Sequence, residues 1–194
     1  MNLRKECLKH TLAEDLKRFG NKRPGVKDLV LHNEVWYIYS YIRHLRFIEY
    51  YGAKIHSGGV KYWYSIPYLC HWLRYKRLGF KLNFTIYPNC VGPGFRIYHA
   101  GGFVHVGPQC KIGKNCTLLP GVVFGNKHEK VTGEKIIVGD NCYFGLGAKI
   151  FGSVRIGNNV TVGANAVVTK DIPDNAVVGG VPAKIIRIKT DIKC

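Results

Sequence analysis

The chain is short of acidic residues. Twelve Asp and Glu stand against 29 Lys and Arg among 194 residues, a net charge of +17 at neutral pH. That balance suits polyanionic partners (nucleic acid, an anionic membrane surface, phosphate-bearing small molecules) and equally a solvated basic surface. No apolar run approaches the roughly 20 residues of a membrane-spanning helix. The first ten residues, charged from Arg4 onward, lack a signal-peptide core. Seven cysteines form an odd set without close pairs at zinc-ligand spacing, which argues against a disulfide scaffold and for a reduced, cytoplasmic chain. A hydrophobic content of 46% argues against disorder, and 194 residues allow one domain with a small appendage.

Composition changes along the chain. Seventeen of the 23 glycines fall at or after Gly92, whereas 17 of the 24 aromatic residues come before it. The boundary lies between Gly79 and Pro88, giving an N-terminal region over 1–84 that reads as helical. Leu8, Leu12, Leu16 and Phe19 keep a three-to-four spacing, and Gly20-Asn21 supply the stop. Pro24-Gly25 precede a second periodic stretch, Val26 to Tyr51. A third, Tyr62 to Leu78, mixes Trp63, Trp72 and Tyr75 with Arg74, Lys76 and Arg77, and its Pro67 predicts a kink or a helix start. Such a segment packs a core or an oligomer interface; it also suits peripheral contact with a membrane surface.

The second part repeats every six residues. Val106, Ile112, Leu118 and Phe124 form one series; Val138, Phe144, Ile150, Ile156, Val162 and Val168 form the other. Glycine follows most of them, and small residues such as Cys110, Cys116, Cys142 and Ala148 stand four places on. The gap between Phe124 and Val138 exceeds one repeat by eight residues, which predicts a protruding loop over 125–137. A period of six fits neither a helix nor a lone strand. It fits a solenoid with three short flat sides per coil, one apolar side chain inward per side, and glycines that permit the turns. The inward cysteines are then core residues.

At these residues the chain resembles the hexapeptide acyltransferases. The resemblance implies a mainly β fold, a left-handed parallel β-helix over 85–188 assembled as a homotrimer, with 189–194 as a tail. The run Val167 to Lys184 is similar to the end of acetyl-CoA-dependent members. Ile97-Tyr98-His99-Ala100-Gly101-Gly102 resembles the catalytic segment of serine acetyltransferases, and Glu14 to Gly20 resembles relatives associated with surface polysaccharides. The implied activity is O-acetylation from acetyl-CoA. The sequence reading favours a saccharide hydroxyl as acceptor, with serine O-acetylation as the alternative and a non-catalytic scaffold or membrane-binding module as a rival of another class. No nucleic acid is expected.

Acetyl transfer to an alcohol needs a base for the hydroxyl proton, and imidazole titrates near working pH. His99 holds that position in the resemblance. The aspartates that the serine enzymes carry nearby are replaced by Tyr98 and Thr85, which become candidate acceptor contacts, with Thr85 or a backbone carbonyl left to orient His99. His128 joins them from the loop. The resemblance implies coenzyme contacts near Gly147, Ala148, Gly163 and Ala164, with Lys170 and Lys184 toward the phosphates. No metal is expected, since His99 and His105, six residues apart, point from successive faces.

Overall fold

The computed structural model describes residues 3–57, 61–126, 133 and 135–190. Helix α1 (Leu3–Lys17) ends at a turn in which Gly20 and Asn21 take φ of 77° and 59°. The stretch read as one helix over 26–51 divides into α2 (Val26–Val30) and α3 (Glu34–His56). The cause is local: His32 turns left-handed at φ 50°, and the Asn33 side chain then accepts the Val35 N–H at 3.0 Å, capping a new helix. Helix α4 (Lys61–Leu82) carries Pro67 inside it and not at its start. No helix among the described residues is long and apolar enough to cross a membrane.

Short strands follow: β1 (Phe84–Ile86), β2 (Arg96–Ile97), β3 (Val104–Val106), β4 (Cys110–Ile112), β5 (Thr117–Leu118), β6 (Val123–Gly125) and β7 (Ile136–Val138). Then come β8 (Tyr143–Phe144), β9 (Lys149–Phe151), β10 (Val154–Ile156), β11 (Thr161–Val162), β12 (Val167–Val168), β13 (Ala176–Gly179) and β14 (Lys184–Ile188). They stack as three parallel faces: β1-β3-β6-β9-β12, here face A; β4-β7-β10, face B; and β2-β5-β8-β11-β13, face C, which β14 extends antiparallel. This is the three-sided solenoid that the repeat predicts, and the left-handed parallel β-helix that the resemblance implies.

Register shows how the repeat works. Val106 pairs with Phe124 and Ile150 with Val168, each eighteen residues on, so one coil is three hexapeptides. Phe124 pairs with Ile150 instead, twenty-six residues on, eight more than one coil, as the sequence spacing requires. Most of the predicted loop, including His128, lies outside the described residues. The inward apolar residues are all buried, as are Cys110, Cys116, Cys142 and Ala148. The glycines after them serve a different purpose from the one expected. Gly113 does not take a positive φ; a Cβ there would sit 2.6 Å from the Gly139 carbonyl oxygen of the next coil. Close stacking, not turn geometry, requires it. At the corner between faces B and C the left-handed positions fall to asparagines: Asn115, Asn141, Asn159 and Asn175 have φ between 55° and 61°.

Two buried junctions lock the helices onto the first coil. Tyr41 of α3 donates to the Tyr75 hydroxyl of α4 at 3.1 Å and accepts the Ile86 N–H at 3.1 Å, while Tyr75 donates to the Ile86 carbonyl. Arg46, with 2% of its side chain exposed, pairs with Asp15 at 2.8 Å and donates to the Val91 and Gly92 carbonyls at 2.7 and 2.6 Å. Asp15 in turn accepts the Phe95 N–H at 3.1 Å. The N-terminal aromatics and the buried ion pair therefore place α3 against the coil that bears His99.

Candidate active site

His99 lies just past β2, at the corner where the chain turns from face C to face A. Its φ of 62° is sparsely populated for a residue with a Cβ. What holds it is Glu34, the first residue of α3. One carboxylate oxygen lies 2.8 Å from His99 Nδ1, and the other accepts the Ala100 N–H at 3.0 Å. Glu34 is fixed by the Asn33 cap and sits where a helix N-terminus favours negative charge. Its carboxyl is held below the usual carboxylate range, first by the Ala100 N–H, which outweighs the opposing effect of burial, and further by the His99 contact. The ionised carboxylate can only accept, so His99 carries its proton on Nδ1 and leaves the Nε2 lone pair free. The imidazole remains 67% exposed, open to a substrate hydroxyl.

This geometry replaces the expectation that Thr85 or a backbone carbonyl orients His99. Thr85 sits on face A, exposed, and pairs in register with His105, whose ring stacks on Phe103 at 5.9 Å. Burial lowers the pKa of His105. Tyr98 adjoins His99, and the Arg96 guanidinium lies 4.0 Å from its ring centroid. Among the described residues, no three His, Cys, Asp or Glu side chains gather as metal ligands.

The corner that bears His99 recurs in each later coil, and these corners stack into one edge. A Cβ added at Gly102 would lie 2.8 Å from the Gly121 nitrogen; one at Gly121, 3.2 Å from the Gly147 Cα; one at Gly147, 2.2 Å from Asn165 Oδ1. The edge thus runs from His99 past Gly121 and Gly147 to Gly163 and Ala164. At about 4.8 Å per coil, three steps span about 14 Å, a length that suits an extended pantetheine arm. Ala164 is exposed on this edge, and Lys184, opposite Gly179 in the β13–β14 pairing, stands near its far end. Ala148 departs from the expectation. Its methyl is buried, its N–H donates to the Gly145 carbonyl at 3.1 Å, and its carbonyl accepts the Val123 N–H at 3.0 Å. Nothing of it faces the edge. Lys170 lies beyond β12, at the next corner of the prism.

Stacked six-residue rungs on three parallel faces define the fold class: a hexapeptide-repeat left-handed β-helix. Residues 135–170 match the family described as hexapeptide repeat of succinyl-transferase. The chain is also similar to serine acetyltransferases. That of Staphylococcus aureus strain Mu50 is 34% identical over 109 residues, 56% of this chain and 51% of that protein. The chain spans about half the length of the curated relatives it matches. Among solved structures, Neisseria gonorrhoeae serine acetyltransferase superposes on 96% of this chain and 67% of its own, with a TM-score of 0.68 and 26% identity. The Brucella abortus strain S19 enzyme, solved in complex with coenzyme A, shares the fold at a TM-score of 0.69 and 24% identity, over 94% of this chain and 68% of its own. The surface-polysaccharide branch suggested by Glu14 to Gly20 finds no support in these names.

Glu34 is the residue that sequence reasoning missed. It stands 65 positions before His99 and meets it only because α3 docks on the first coil. The available signal was the pair Asn33-Glu34, a cap residue followed by one of only twelve acids in the chain.

Proposed function

We propose that the chain is an acetyl-CoA-dependent O-acetyltransferase with His99 as general base and L-serine as acceptor. The observation that carries the reading is the Glu34–His99–Ala100 arrangement, which leaves Nε2 unprotonated and exposed at the head of the C–A edge. The donor substrate lies along that edge, with its thioester carbonyl beside His99. The acceptor oxygen attacks that carbonyl as Nε2 takes the hydroxyl proton, and the Glu34 carboxylate stabilises the imidazolium that forms. Collapse of the tetrahedral species breaks the carbon–sulfur bond, and the imidazolium returns the proton to the departing thiolate. Serine as acceptor rests on the name its relatives bear.

The working unit we propose is a homotrimer. Tyr98, Tyr143 and Leu146, on face C and its corner, are 37%, 40% and 50% exposed, an apolar strip that a second subunit would cover.

One observation favours a second acceptor. Thr85 and Tyr98 offer hydroxyls and no carboxylate, and the Glu34 carboxylate is already committed to His99 and Ala100, so these positions provide no carboxylate dedicated to an ammonium group. A saccharide hydroxyl makes no such demand. The test is release of coenzyme A thiol from acetyl-CoA with L-serine and with a panel of saccharides. L-Serine turnover with KM within the usual range of about 1 µM–1 mM supports the first reading. Turnover with a saccharide and none with L-serine replaces it by the second.

A further inference from the structure

A cleft of about 510 Å³ opens between α3 and α4, lined by Ser40, Arg43 and His44 from one helix and His71, Arg74 and Arg77 from the other. Residues 40, 43 and 44 share a face of α3, and 71, 74 and 77 step along α4 at three-residue spacing, so the two helices converge their bases on one space. The charge there is uncompensated. Helix α4 contains five Lys and Arg and no acid. Helix α3 has two acids, both engaged elsewhere: Glu34 with His99 and Ala100, Glu49 with Arg46 and the Asn89 N–H. Among the described residues, none of the three guanidiniums meets a carboxylate or a hydrogen-bond acceptor; Arg43 only lies 5.3 Å from the Phe47 ring centroid.

The histidines respond to the same excess. His44 and His71 face each other with Nδ1 atoms 2.7 Å apart. Burial first, and then His71, Arg74 and Arg43, lower the pKa of His44 to about 4. Burial followed by Arg74 and Arg43 lowers that of His71. The cleft is thus a region of fixed positive charge floored by neutral imidazoles.

We propose that this cleft binds the phosphate group of a second ligand, apart from the acetyl-transfer edge. Three guanidinium forks around one space suit a tetrahedral dianion, which offers several oxygens to several donors; a single carboxylate would satisfy one fork and leave two. The ligand is a phosphate monoester, either a soluble phosphorylated molecule or an anionic lipid headgroup. The bases and exposed apolar residues of α4, among them Trp63, Ile66 and Leu73, make the lipid source testable.

Inorganic phosphate titrated calorimetrically into the full chain, and into an Arg74→Gln/Arg77→Gln variant, tests the site. Both substitutions are at exposed helix positions, and phosphate bound along the coenzyme edge contributes equally to both proteins. The expected result is at least tenfold weaker binding to the variant with acetyl transfer unchanged. In the unsubstituted chain, phosphate should also raise the His44 titration point seen by imidazole NMR, and should not in the variant. Vesicles of phosphatidylcholine with phosphatidic acid distinguish the sources. Sedimentation with them, competed by free phosphate and lost in the variant, assigns the headgroup; phosphate binding without sedimentation assigns a soluble ester. Equal phosphate affinity in the two proteins, or none in either, overturns the proposal.

Discussion

Replacing Glu34 by glutamine removes one charge and almost no volume, so its consequences follow from hydrogen-bond chemistry. The Ala100 N–H needs an acceptor, and it takes the amide oxygen. The amide NH₂ then faces His99 Nδ1, which must accept. The imidazole proton moves to Nε2, the atom assigned to the substrate. Two costs add. The lost charge-assisted contact to the imidazolium is worth about 1.5–3 kcal/mol when buried. With Glu34 at 42% exposure this falls to about 1–2 kcal/mol, or about 5- to 30-fold in rate. Trapping the wrong tautomer by a neutral hydrogen bond of about 0.5–1.5 kcal/mol adds about 2- to 12-fold. The variant should therefore lose about 10- to 300-fold in kcat, read as thiol release at saturating acetyl-CoA, with KM for acetyl-CoA unchanged. Glu34→Ala removes the charge without trapping the tautomer and should retain more activity than Glu34→Gln. Turnover of the glutamine variant within twofold of the unsubstituted chain, or a tenfold greater loss for alanine, would refute this reasoning.

Three further outcomes follow from the fold. Asp15→Ala removes one of the two carboxylates that pair with the buried Arg46 guanidinium and should destabilise the chain in urea unfolding by less than the roughly 3–5 kcal/mol of a wholly unpaired buried charge, since Glu49 remains. Gly147→Val puts a Cβ 2.2 Å from Asn165 Oδ1 at a φ of 71°, and should raise KM for acetyl-CoA while the Glu34–His99 contact, two corners away, persists. His44 titrates near 4 when folded and near 6.5 when exposed, so between these values the unfolded chain binds more protons. Stability should fall as pH drops from about 6.5 to about 4 and then level, and thermal unfolding of His44→Gln should show a shallower dependence.

The β-helix was legible in sequence because every coil buries the same positions, so one rule of six residues is stated ten times between Val106 and Val168. The helical region offered no such redundancy. Its periodicity runs on across Asn33, where a single side-chain cap and the left-handed His32 divide two helices, and a continuous apolar pattern does not record that break. His99 was found through its segment, but its partner was not. Corner residues repeat along the solenoid, whereas the Glu34 contact depends on how α3 docks, through Tyr41, Tyr75 and the Arg46–Asp15 pair. Ala148 illustrates the opposite error: residues adjacent in sequence on a corner need not share a face, and its place in the repeat puts it inside.

The role proposed for His99, a base acting through Nε2, is tested most directly by thiol release from acetyl-CoA by the unsubstituted chain and by His99→Ala, with coenzyme A binding followed by calorimetry in both. Turnover with L-serine should fall by about two to four orders of magnitude in His99→Ala while coenzyme A binds equally well. Turnover in His99→Ala near that of the unsubstituted chain would contradict that role.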